Sequence, residues 1–130
     1  QRALAKVAYL ALQDAEEDRV KEYSRMVLAN GDRLVLSVDS VLGYDQFSIV
    51  PFELEADTLG DVKILDARLF VQADSDSPAH LLPTSLQVRR RVEAGERVQG
   101  VVAAEQSKLM AYEVIKLVVL TDQGQVELTW

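Results

Sequence analysis

Between Leu86 and Ala104, apolar residues fall at every second position on both sides of a polar break, Glu93-Ala94-Gly95-Glu96. Side chains of an extended chain alternate between faces, so the pattern predicts two strands joined by a turn. Leu86, Val88 and Val92 share one face of the first, with Gln87, Arg89 and Arg91 on the other; Val98, Gly100 and Val102 share one face of the second. Gly95 supplies the positive φ that a tight turn asks for.

The same period of two runs from Arg33 to the last residue. Leu34, Leu36 and Val38 define a first strand, Phe47–Glu55 a second with Val50, Phe52 and Leu54 inward, and Val62–Gln72 a third with Leu65, Ala67, Leu69 and Val71 inward. Pro51 has no N–H, which places it at an edge or beside a bulge. Residues 73–84 form the longest irregular segment, and Glu105–Leu109 a polar connection able to hold a helical turn. Tyr112–Thr121 is apolar on both faces around Lys116, as a central strand is. Gln125–Trp130 returns after the turn Asp122-Gln123-Gly124. About seven strands with frequent turn signals predict a two-sheet β-sandwich.

Ahead of them, Arg2 to Ala29 lacks Gly and Pro and is rich in helix formers. Leu4, Val7, Ala8, Ala11, Leu12 and Ala15 form one stripe at helical spacing; Val20, Tyr23, Met26 and Val27 form a second. Asp14 and Glu17 have capping-box spacing and Asn30-Gly31 reads as a helix stop, so residues 1–31 are expected to be one helix or a helix pair packed on, or leading into, a sandwich of residues 32–130.

The net charge of -7 argues against non-specific nucleic-acid binding, and no apolar run reaches the ~18 residues of a membrane-spanning helix. Without cysteine there are no disulfides, thiolate zinc sites or thiol nucleophiles. The chain starts at Gln1, which reads as a processed product or a piece of a longer protein.

The "xxGE" turn and the "V-x-G-V-V" strand within Glu93–Val102, with "Y-x-V-I-x-L-V-V" in Tyr112–Val119, resemble bacterial immunoglobulin-like domains of the telokin-like type. Ala94 stands where such domains usually have proline, and Ala103-Ala104 where an aromatic residue is usual. The resemblance implies an immunoglobulin-like sandwich acting as a non-catalytic binding module of the bacterial envelope or a secreted protein, and it carries over no functional residues.

Candidate chemistry is thin. His80, the only histidine, lies in a loop near Asp74 and Asp76 and reads as a solvated residue. Asp74-Ser75-Asp76 is a fragment of a calcium loop without its closing Gly and Glu; Asp57 or Asp61 would have to complete a cation site. Arg89, Arg91 and Arg97 are expected on one outer sheet face, with Arg90 turned away, and arginine is favoured at interfaces. Together with Tyr23 and Met26 of the helix they form the expected partner surface. The expected function is protein–protein recognition or assembly within a larger bacterial protein, with no cofactor and no catalytic residues. The partner is another protein, a neighbouring domain, or a second copy joined through the helix, and a periplasmic or secreted setting is slightly favoured. The alternative is an α+β carrier or enzyme whose helix closes a pocket lined by Tyr44, Tyr112 or Trp130.

Overall fold

The computed structural model describes residues 15–130. Their strands are β1 (Glu16–Val27), β2 (Arg33–Gly43), β3 (Ser48–Asp57), β4 (Val62–Gln72), β5 (His80–Leu81), β6 (Thr84–Val88), β7 (Arg91–Val92), β8 (Arg97–Ala104), β9 (Val114–Thr121) and β10 (Gly124–Thr129). A first antiparallel sheet has the order β1-β2-β3-β8-β6, a second the order β10-β9-β4-β5, and β7 pairs with the start of β4. Leu34, Leu36, Leu54 and Val102 of the first sheet share one core with Ile64, Leu69, Ile115 and Leu117 of the second. The protein is mainly β, and the space between its sheets is filled largely by aliphatic side chains, with Phe52 among them.

The expected N-terminal helix is corrected. Residues 16–27, which carry the second apolar stripe and the capping-box Glu17, form β1, hydrogen-bonded along β2 from Glu16↔Gly43 to Val27↔Arg33. The first stripe's residues 1–14 and Asp14 lie outside the described residues; Ala15 is exposed and in neither helix nor strand. The only helix among the described residues is a 3₁₀ turn, Leu109–Ala111, where a polar connection was expected to turn. The physical reason is pairing: β2 offers an open edge, and helix propensities of a few tenths of a kcal/mol per residue yield to a full ladder. Asn30-Gly31 serves the hairpin. Gly31 sits at φ 89°, the Leu28 N–H donates to the Asp32 carbonyl at 2.7 Å, and the Gly31 N–H to the Leu28 carbonyl at 2.9 Å.

Two bulges decide which side chains face inward. Pro51 lies in β3 between β2 and β8, so it is not at an edge. The ladder to β8 runs unbroken through Pro51↔Val101, while the ladder to β2 slips between Ser37↔Glu53 and Leu42↔Ile49. The bulge falls opposite the residue that cannot donate. In β4 the register slips at Leu65, between Ile64↔Thr121 and Asp66↔Leu120. Val62 and Ile64 are therefore buried, Leu65 is 52% exposed, and Ala67, Leu69 and Val71 are buried again. The expectation of an inward Leu65 is corrected: one extra residue reverses which face a strand position occupies.

The two strands expected within 86–104 do pair with each other, from Thr84↔Ala104, two residues before the expected start, to Val88↔Gly100. Its connection, however, is more than a turn. After Val88 the chain leaves the first sheet, and the Ile64 N–H donates to the Arg90 carbonyl at 2.7 Å. β7 then pairs Arg91↔Lys63 and Val92↔Val62, and the Val92 side chain enters the core fully buried. The return is fixed by the Gly95 N–H donating to the Ala56 carbonyl at 2.8 Å and the Ala56 N–H to the Glu96 carbonyl at 2.9 Å.

Gly100 faces inward beneath Phe52, its direct cross-strand neighbour. A Cβ at residue 100 would lie 2.5 Å from Phe52 Cζ and 2.8 Å from Val88 Cγ2. Gly100→Ala is expected to destabilise the protein by about 1–3 kcal/mol, the usual cost of overpacking. Urea unfolding checks this, and Phe52→Leu in the same chain should recover part of the loss; an unchanged midpoint for Gly100→Ala would contradict the close approach.

Candidate functional site

β1 is an edge strand, and no element among the described residues pairs with its outer side. Its two halves differ. From Glu16 to Lys21 it is charged, and its register slips between Arg19 and Glu22 with Lys21 at φ 49°. Charges and bulges of this kind discourage strand addition. From Glu22 to Val27 the ladder is regular. Tyr23 opposes Ser37, Arg25 opposes Val35 and Val27 opposes Arg33, all on the outer face; Ser24 and Met26 oppose the buried Leu36 and Leu34 and so share the core-side face. Tyr23 is 67%, Val27 60% and Met26 39% exposed. Three large apolar side chains within five residues of one open strand form a site that can take a further strand.

The outer face of the first sheet adjoins this edge. A shallow concavity of ≈ 760 Å³ is lined by Lys21 and Tyr23 of β1 and by Ser37 and Asp39 of β2. It continues into a second, of ≈ 800 Å³, reaching Pro51, Gln99, Gln87 and Arg89. Its lining is mostly polar. Arg97 also lies on this face, with Nη1 3.5 Å from Glu53 and Nη2 3.8 Å from Glu55, a cross-strand ion pair of the solvated kind that contributes little stability. Arg89 has no carboxylate partner among the described residues.

Of the expected partner residues, then, Tyr23, Arg89 and Arg97 come to one face of the first sheet. Met26 is on the same edge strand but on its opposite face. Arg91 is elsewhere, and the expectation of three arginines on one surface is corrected: the crossing after Val88 carries Arg91 to the second sheet. There its Nε donates to Asp61 Oδ2 at 3.0 Å, Nη2 donates to the same oxygen, and Asp61 Oδ1 accepts from the Ala94 N–H at 3.1 Å. Arg90 Nη1 donates to the Leu65 carbonyl at 2.8 Å. Both arginines brace the crossing. Sequence reading missed Val27 and the open edge itself; the signal was Asn30-Gly31 between two runs that can pair.

The remaining candidates do not converge. His80 is exposed on the two-residue β5. Asp74 Oδ1 accepts from the Asp76 N–H at 2.9 Å and from Ser77 Oγ at 3.0 Å, a local turn. Asp57 pairs with Arg33 and Asp61 with Arg91, and no three His, Cys, Asp or Glu side chains among the described residues gather as metal ligands. The carrier alternative loses its helix over residues 16–27, which are β1. Tyr112 and Trp130 pack at the margin of the core, while Tyr44 stacks on Phe47 with ring centroids 5.5 Å apart.

No family model matches this chain, and no curated protein matches it.

The hydrogen bonds from Arg91 and then from the Ala94 N–H hold the Asp61 carboxyl below its ordinary value of 3.8, and Asp61 in turn raises Arg91. A lowered folded-state pKa means a contribution that is complete above the ordinary value and lost as pH falls through the lowered one. Asp61→Asn should therefore unfold at lower urea than the wild type at about pH 7, with the gap closing at about pH 2. A gap that persists in acid would show that the charge is not what Asp61 contributes.

Proposed function

We propose that this chain is a non-catalytic protein–protein recognition or assembly module with an immunoglobulin-like sandwich, and that it recognises its partner through the Glu22–Val27 half of β1. The observation that carries this reading is the regular strand bearing Tyr23, Met26 and Val27, unpaired on its outer side among the described residues. An extended segment added to such an edge makes main-chain hydrogen bonds, while side-chain contacts on alternate faces supply selectivity. Tyr and Met are favoured in interface cores, and the outer face beside Tyr23 offers Arg89 and Arg97 as a polar rim. Against catalysis stands the engagement of Asp57, Asp61, Glu53 and Glu55 with arginines, away from the lone His80. The bacterial setting, a larger parent protein and a periplasmic or secreted location follow from the resemblance carried by Glu93–Val102 and Tyr112–Val119. The partner is another protein or a neighbouring domain of the same one.

A photoreactive residue placed at Tyr23 in the producing cell tests the reading. It should give one or a few discrete covalent protein adducts on illumination, whereas the same residue at Leu59, which is 91% exposed in a turn, should give none. No adducts from 23, or the same diffuse pattern from both, would contradict the proposal.

A further inference from the structure

We infer that the partner strand is the β1 of a second copy of this chain, paired antiparallel about a two-fold axis through Ser24. The inference rests on the recognition reading above and names its partner.

The argument is one of register. Directly opposed residues of an antiparallel pair point to the same face, so a two-fold axis normal to the sheet passes through a residue and never through a peptide bond. Within the regular stretch Glu22–Val27 the possible centres can be compared one by one. An axis at Glu22 sets Glu22 against itself, and one at Arg25 sets Arg25 against itself. An axis at Tyr23 sets Lys21 against Arg25, and Lys21 is already out of the ladder at φ 49°. Like charges directly opposed are destabilising. An axis at Met26 or at Val27 leaves Tyr23 and Glu22 outside the pairing.

An axis at Ser24 opposes no like charges and keeps both Tyr23 and Met26 within the pairing, with Val27 just beyond it. Tyr23 then opposes Arg25 of the other copy twice over, and both residues project from the outer face, opposite Ser37 and Val35 of their own sheet. A guanidinium against a tyrosine ring adds a cation–π contact to the cross-strand pair. Met26 opposes Glu22, and Ser24, small and half-buried, opposes itself. The bulge between Arg19 and Glu22 ends the pairing on each side, so five residues per copy are shared. An interface this short is smaller than the ~1,600 Å² of a standard stable complex, so the dimer is weak and concentration-dependent.

The protein has no cysteine, so single cysteines report the register cleanly. In Ser24→Cys the two thiol-bearing residues are direct neighbours across the axis, within the ~4.4–6.8 Å Cα separation a disulfide accepts. In Glu17→Cys they are on the order of 40 Å apart at ~3.3 Å per residue. Under mild oxidation Ser24→Cys should give a covalent dimer and Glu17→Cys should not. Light scattering of the unmodified chain should show mass rising towards two copies with concentration. Tyr23→Lys, which sets lysine against Arg25, should weaken the dimer by about tenfold or more, and Tyr23→Lys with Arg25→Glu should restore it. A chain that stays monomeric at every concentration, equal cross-linking of the two cysteine variants, or a dimer indifferent to Tyr23→Lys would overturn the inference. If the adducts from position 23 then contain other proteins, the recognition reading stands with a different partner; if there are no adducts, both readings fall.

Discussion

One stretch of chain belongs to both sheets, and the arrangement of the rest depends on it. Residues 84–104 supply the edge strand β6 and the interior strand β8 to the first sheet, yet between them Val92 is set into the core from the side of the second. Several directed bonds hold this crossing in place. Asp61 binds Arg91 and the Ala94 N–H, Ala56 exchanges hydrogen bonds with Gly95 and Glu96, and Arg90 is tied to Ile64 and Leu65. Each anchor is itself on β3 or β4 or at the entry to β4, so the crossing fixes the distance between sheets as well as its own course. Gly100 then lets Phe52 lie across β8, where any other residue would force the two strands' side chains apart.

With the sheets fixed, their edges become the question. β4 is covered at one end by β7 and at the other by β5. β6 is short, and β10 is held against β9 by a hairpin in which Thr121 Oγ1 donates to the Gly124 carbonyl at 2.6 Å. β1 is the longest strand among the described residues, and its own residues protect only half of its edge. The charged, bulged half resists strand addition while the half bearing Tyr23 and Val27 does not. That asymmetry is the physical basis of the recognition reading.

The longer strands after Arg33 were legible because one face of each is buried, and burial writes a period of two into the sequence; the two-residue β5, exposed on both faces within a segment read as irregular, and β7 were not. β4 has the residue range its pattern predicts, and the central place of β9 follows from its two apolar faces. Leu65 was not legible, because a bulge changes parity without changing composition. β1 was not legible for a related reason: an edge strand buries little, so Val20, Tyr23, Met26 and Val27 obey no core-facing alternation and fall by chance at helical spacing. The arginines were legible as a cluster in sequence and illegible as a surface, since the crossing that separates Arg91 from Arg89 and Arg97 depends on pairing with β4, distant in the chain. What could be read of the site was residue type at Tyr23 and Met26; that they stand on an open edge required the fold.

Recognition through β1 requires that it be an edge strand, and residue-resolved amide hydrogen exchange tests that most directly. In an edge strand, every second amide bonds to its neighbour and the others face solvent. Amides of residues 22–27 are therefore expected to alternate between slow and fast exchange in dilute solution, with slow exchange in the matching residues of β2. Uniform slow exchange across 22–27, as in a helix, or uniform fast exchange would contradict the account.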